Sequence, residues 1–295
     1  MTGRTARRRV LRVRVPSGPG EGARADLLAV EEPLEIRVDG EPLAVTMRTP
    51  GEDIDLAAGF LASEGVIASP SDVTSIKMCD DNVADVTLGP GVTLPGARLR
   101  RNFVTSSACG VCGKDSIDAI RVRASYDVSA DPVQVSPDML AGLPDRLRDA
   151  QRVFASTGGL HAAGIFTADG TLLTLREDVG RHNAVDKIVG WALREQRLPL
   201  AGSVLLVSGR ASFELVQKAL IAGIPVLAAV SAPSSLAAEL AEDSGMTLIG
   251  FLRGGSMNVY TGAWRLTTVP DKAVPDKAVP DKAVPAKTVP EKEPA

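Results

Sequence analysis

The sequence predicts an α/β protein: one lobe on a largely parallel sheet, preceded by a smaller α+β lobe. Three observations carry that expectation. Between residues 204 and 251, runs rich in Val, Leu and Ile alternate with segments of helical length. Residues 34–47 alternate apolar and polar positions around Asp39-Gly40, the signature of a hairpin. A chain of 295 residues is long enough for two lobes with cores of their own.

The basic start, with Arg4, Arg7, Arg8 and Arg9, resembles a twin-arginine signal only superficially. Arg12, Arg14 and Pro16 follow where an apolar stretch is required, so residues 1–24 are expected as a disordered or edge-strand basic start. The small lobe is assigned to residues 25–136. Its elements are the 34–47 hairpin, a helix over 52–64 closed by Gly65, and short strands near 83–88 and 99–104.

The larger lobe is assigned to residues 137–266. A helix over about 137–152 leads to strands at 163–167 and 172–176, joined at Asp169-Gly170. Asp178 reads as the N-cap of a helix burying Val185, Ile188, Val189, Ala192 and Leu193. Strand 204–208, helix 212–222, strand 225–230, helix 235–242 and strand 247–251 complete it, with right-handed crossovers. Residues 267–295 repeat Val-Pro-Asp-Lys-Ala, and a proline every fifth residue excludes helix and packed strand, so a disordered tail is expected.

A formal net charge of −3 gives no reason to expect nucleic-acid binding, and no apolar run is long enough to cross a bilayer. Three cysteines cannot build a disulfide framework and fit a reducing compartment, the cytoplasm.

Open α/β sheets bind ligands beyond the carboxyl ends of their strands. Three loops are expected there: Ser208-Gly209-Arg210, Ser231-Ala232-Pro233-Ser234-Ser235, and Leu252-Arg253-Gly254-Gly255-Ser256. Small residues, hydroxyls, arginines and two helix N-termini favour a phosphate-bearing ligand. Tight turns alone would explain any one loop; three at one edge favour a site.

Cys109 and Cys112 stand in Thr105-Ser106-Ser107-Ala108-Cys109-Gly110-Val111-Cys112-Gly113-Lys114. A thiolate there, helped by Lys114 and a helix starting near Ser116, can accept sulfur as a persulfide, and the second thiol can resolve it. The spacing alone leaves two rivals. Zinc would need Cys79 with His161 or His182, without a second Cys-x-x-Cys, and thioredoxin-type redox would need a preceding strand. Cys79 by itself reads as an ordinary thiol.

His161 lies in the Gly-rich turn Ser156-Thr157-Gly158-Gly159-Leu160-His161, where it could orient a substrate or serve structure alone. In Arg176-Glu177-Asp178-Val179-Gly180-Arg181-His182, a capping Asp178 and a solvated Asp186–Lys187 face account for part of the charge. Gly180 in a first turn is left over, and it directs Arg181 and His182 towards a ligand.

These segments resemble the formate dehydrogenase accessory protein family, the FdhD/NarQ type. The likeness rests on Ser107-Ala108-Cys109-Gly110-Val111-Cys112-Gly113, Thr157-Gly158-Gly159-Leu160-His161, Glu177 to Ala184, Ser208-Gly209-Arg210, and Gly250-Phe251 through Tyr260, and spans about residues 25–266. It implies a sulfurtransferase that takes sulfur from a cysteine desulfurase as a Cys109 persulfide, assisted by Cys112. The acceptor it implies is the molybdenum cofactor of formate dehydrogenase, bis-molybdopterin guanine dinucleotide, with no tightly held metal of the protein's own. The family's cofactor segment falls on Phe251, Leu252, Arg253, Gly254, Gly255 and Ser256, and Gly209, Arg210, His161, Arg181 and His182 join it as further candidates. The resemblance also implies a three-layer, cytidine-deaminase-like lobe. Deamination is not carried over, because His161 is followed by Ala162-Ala163 and no Pro-Cys-x-x-Cys comes after it. A non-catalytic cofactor chaperone and a zinc-stabilised module stay open as alternatives, and a homodimer is allowed but not demanded.

Overall fold

The computed structural model describes residues 3–13, 23–94 and 126–267. Cys109 and Cys112, the strand expected at 99–104, the helix near 116 and the 267–295 tail beyond Thr267 lie outside them.

Within the basic start, expected as disordered or as an edge strand, residues 5–11 form a strand. Strand β1 (Thr5–Leu11) pairs antiparallel with β2 (Ala23–Ala29) as a separate two-stranded ribbon. Next come β3 (Glu32–Val38) and β4 (Glu41–Arg48), with Asp39 and Gly40 both at positive φ in the turn, as the hairpin signature predicts. Helix α1 (Asp53–Ser63) follows, then β5 (Val73–Asp80) and β6 (Val83–Leu88). The sheet order is β4-β3-β6-β5. Leu34, Ile36, Ala84 and Val86 bury one face of it against Leu56, Ala57 and Leu61 of α1.

Helix α2 (Pro137–Ala150) starts on proline, whose missing N–H costs nothing in a first turn. A short α3 (Arg152–Thr157) follows it; residues 153–157 were not anticipated as helix. The second sheet comprises β7 (His161–Thr167), β8 (Leu172–Asp178), β9 (Ser203–Val207), β10 (Val226–Ala229), β11 (Thr247–Arg253) and β12 (Ser256–Thr261). Between them run α4 (Arg181–Arg194), α5 (Phe213–Ile221) and α6 (Ser235–Asp243).

The strand order β12-β11-β10-β9-β7-β8 corrects the largely parallel sheet. Only the β9–β10 and β10–β11 pairings are parallel. β7–β8 and β11–β12 are antiparallel because hairpins join them, and β7–β9 is antiparallel because the crossover through α4 starts from β8, which runs opposite to β7.

Cores of the two sheets meet in a continuous cluster that takes in Ile36, Leu61, Val86, Ile188, Val189 and Leu227. All five apolar positions read on α4 are buried. Helices α1 and α4 cross with backbones in contact: a Cβ on Gly59 would lie 1.8 Å from the Asp186 carbonyl oxygen, and one on Gly190 1.8 Å from that of Asp55.

The expected solvated Asp186–Lys187 face is also corrected. Both are buried: Lys187 pairs with Asp178 at 2.8 Å, and Asp186 pairs with Lys218 at 2.6 Å while accepting from Ser63 Oγ at 2.7 Å. A helix face that points between two lobes has no solvent side, so its charges must be satisfied internally.

Candidate strand-end site

Beyond the carboxyl ends of β9, β10 and β11 the three loops lie side by side. Ser231 N–H donates to the Gly209 carbonyl (3.3 Å), Ala211 N–H to that of Ala232 (3.2 Å), and Phe251 N–H to that of Ser231 (3.1 Å). β7 runs antiparallel to β9, so its first residue, His161, arrives at the same edge. Ala162 and Ser208 fasten that junction: Ala162 N–H donates to Ser208 Oγ (2.9 Å) and Ser208 N–H to the Ala162 carbonyl (2.9 Å).

Helix α4 brings its first turn to this edge. Asp178 does not cap it directly; Gly180 is the N-cap residue, and Asp178 Oδ1 accepts from Gly180 N–H (2.8 Å) and Asn183 Nδ2 (3.0 Å). Asp178 Oδ2 takes Lys187 and the Thr49 N–H (3.1 Å), which saturates the carboxylate. A Cβ on Gly180 would lie 3.1 Å from Asn183 Nδ2, so internal packing, and not a ligand, accounts for this glycine.

The turn held in this way presents Arg181 and His182. Gly209 sits between His161 and Arg181: a Cβ there would lie 3.4 Å from His161 Nδ1 and 3.8 Å from Arg181 Cδ. Arg181 Nε is buried with no hydrogen-bond partner among the described residues. A buried N–H of a cation left in this state is costly unless a ligand accepts from it. Burial, then the Arg181 and His182 charges, push the His161 pKa below its ordinary value, with Asp178 opposing. His161 is therefore neutral at pH 7, with one ring nitrogen able to donate and the other to accept.

His182 makes contacts that motif reading missed. Its Nε2 lies 2.9 Å from Glu214 Oε2 and 3.2 Å from Ser212 Oγ. Ser212 is the N-cap residue of α5 and Glu214 stands in its first turn, so the signal was an acidic first turn after a strand-end loop.

Arg210 is exposed on the first loop. At the third, β11 runs on to Arg253, and Gly254 (φ 58°) and Gly255 (φ 75°) form the two-residue turn into β12. Their glycines are thus required by the hairpin. Leu252 is wholly buried in a further apolar cluster, apart from the one shared by the two sheets, that also takes in Leu143, Val226 and Ile249. Phe251 holds φ 53° at a register shift, a conformation that costs a non-glycine residue about 1–3 kcal/mol and recurs at functional sites. Arg253 lies over its ring, 5.7 Å from the centroid, and Ser256 Oγ donates to the Arg253 carbonyl (3.2 Å).

Of the side chains considered for zinc, Cys79 is exposed on β5 in the other sheet. No cluster of three or more potential metal ligands occurs among the described residues.

The profile of the FdhD/NarQ family matches residues 29–267, a stretch that contains every element from β3 to β12. The chain belongs to the FdhD/NarQ family. Among curated relatives in this FdhD/NarQ group, the sulfur carrier protein FdhD of Streptomyces coelicolor is 59% identical over 275 residues, covering 89% of this chain and 95% of that protein. That of Sulfolobus acidocaldarius is 48% identical over 236 residues, covering 80% and 89%. A crystal structure described as a formate dehydrogenase accessory protein from Desulfotalea psychrophila superposes with a TM-score of 0.71 at 22% identity, over 90% of this chain and all of that one. The FdhD fold is thereby shared across distant sequences. No helix among the described residues is long and apolar enough to cross a membrane.

Proposed function

We propose that this protein is a sulfur carrier in formate dehydrogenase maturation, loading sulfur on Cys109 and delivering it to a molybdenum cofactor held at the strand ends. The observation that carries this reading is the extent of likeness to proteins named sulfur carrier protein FdhD, 57–60% identical over most of both chains in several actinobacteria. The strand-end geometry supports the acceptor half. Arg181, with a buried and unpartnered Nε, the backbone at Gly209 and the first turn of α4, which carries no acid, suit the phosphates of bis-molybdopterin guanine dinucleotide.

The chemistry balances as two exchanges. Cys109 thiolate attacks the outer sulfur of a cysteine desulfurase persulfide, forming Cys109–S–SH and releasing the desulfurase thiolate. Cys112 thiolate then attacks Cys109 Sγ, closing a disulfide and releasing hydrosulfide to the acceptor. An external thiol reductant returns the pair to the dithiol. Neutral His161 can donate to or accept from the cofactor's polar edge, and Glu214 holds the His182 ring at 2.9 Å beside it.

Intact-mass analysis after incubation with a cysteine desulfurase and cysteine tests the donor half. One added sulfur is expected on the wild type and none on Cys109→Ala; an unmodified wild type overturns the reading. If a Cys109→Ala, Cys112→Ala double variant still restored formate dehydrogenase activity in a deletion strain, the role would be that of a cofactor chaperone.

A further inference from the structure

We infer that the β1–β2 ribbon is a docking arm for an acidic protein surface, and that its partner is the dehydrogenase subunit that receives the finished cofactor. The identity of that partner rests on the function proposed above; the docking itself rests on the ribbon. Among the described residues β1 pairs with β2 alone, and every residue of β1 is exposed except the half-buried Val10. A two-stranded ribbon has no core of its own and is marginal unless something else is packed on it or anchors it.

The anchor lies at the root. Arg4 pairs with Glu52 (3.3 Å) and donates to the Glu177 carbonyl (3.2 Å), while Val30 N–H donates to the Arg4 carbonyl (3.0 Å). Glu177 is the register partner of Ala162, next to His161, so the ribbon springs from the edge of the sheet that carries the strand-end site.

Beyond the root, Arg7, Arg8 and Arg9 form no ion pair with any described residue, and the single acid on β2, Asp26, faces Arg8. Adjacent arginines repel one another unless a partner supplies the opposite charge. Leu11 and Val13 are 73% and 68% exposed beside them. Arginine mixed with exposed apolar side chains is the composition of a protein interface, not of a solvated face. The ribbon has no aromatic residue on which bases could stack, and the chain as a whole is anionic, so charge complementarity selects an acidic protein over a nucleic acid.

A charge reversal on one face tests this. Arg7→Glu with Arg9→Glu leaves Asp26 without a like-charged partner, because Leu27 and Ala25 stand opposite. Binding of the full chain to the purified apo catalytic subunit of formate dehydrogenase is measured at low and high salt, beside persulfide loading by a desulfurase. The reversal is expected to weaken binding by about tenfold or more and flatten its salt dependence, with loading unchanged. Arg7→Lys with Arg9→Lys should bind as the wild type does, and the glutamine pair should fall between if the reversal harms folding. Unchanged binding in the reversal variant overturns the docking arm. So does a wild type that loads sulfur yet ignores the subunit, a result that leaves the carrier reading standing. A wild type that binds duplex DNA or anionic vesicles instead of the subunit overturns the partner class. Charge-dependent docking without any persulfide would support the arm while the carrier reading falls.

Discussion

His161 opens β7 half-buried, with the Arg181 cation nearby and its ring against the Gly209 backbone. Because its folded pKa lies below the unfolded value near 6.5, the unfolded chain binds more protons as pH falls through that value. The contribution of this residue to stability is therefore intact above pH 6.5 and declines below it. In urea titrations across pH 5–8, His161→Gln is expected to flatten that decline. Arg181→Met, which removes a repelling charge, should raise the His161 titration midpoint in a proton NMR series; a midpoint that stays put would refute the Arg181 contribution and leave burial as the cause. The same substitution should weaken GDP binding, GDP standing in for the guanine nucleotide end of the cofactor. The loss expected is roughly tenfold, the usual size of one charge-assisted contact. His161 drew notice in the sequence from its Gly-rich turn, and Arg181 and His182 from Gly180, a glycine that packing against Asn183 explains. Ser212 and Glu214 were not, since nothing local links a helix's first turn to a histidine thirty positions earlier.

Elements that obey a clear period were read correctly. The Asp39-Gly40 hairpin, α1, α4 and the alternation from β9 to β11 all lie within a few residues of their expected bounds. β5 escaped because Lys77, Met78, Cys79 and Asp80 are all exposed, so the strand lacks an apolar stripe. β12 escaped because Gly254-Gly255 was read as ligand backbone rather than as a turn. Met257 and Val259, which alternate with exposed Asn258 and Tyr260, carried the strand signal all along. Direction failed at β7–β9 and β11–β12, while the β7–β8 turn at Asp169-Gly170 was legible: hairpin and crossover connections differ in their turns, not in the strands they join. At the start of α4 the Asp178–Lys187 pair is wholly buried, so Lys187→Met should destabilise the fold by about 3–5 kcal/mol in urea denaturation. Adding Asp178→Asn should recover part of that loss, because no uncompensated charge would remain.

Taken whole, the described residues build a four-stranded and a six-stranded sheet that share one apolar cluster, with α1 and α4 as the seam, and a second cluster lies between the six-stranded sheet and α2. The family match ends at residue 267, short of the repeat with a proline every fifth residue. Deleting residues 268–295 is thus expected to leave the thermal unfolding midpoint within about 2 °C, the shift of a small perturbation in a protein of this size. By contrast, Gly59→Ala or Gly190→Ala should cost about 3 kcal/mol or more, measurable as a lower urea midpoint with an unchanged slope.

That seam also limits how the molecule can change over time. Each missing methyl group would strike a carbonyl oxygen of the opposite helix, not a side chain, so no trimming elsewhere opens the space. Neither glycine can be rescued by a second-site suppressor, and enlarging both should be worse than enlarging either. Hybrids that join the first half of one relative to the second half of another should therefore survive only when the first supplies glycine at position 59 and the second supplies it at position 190.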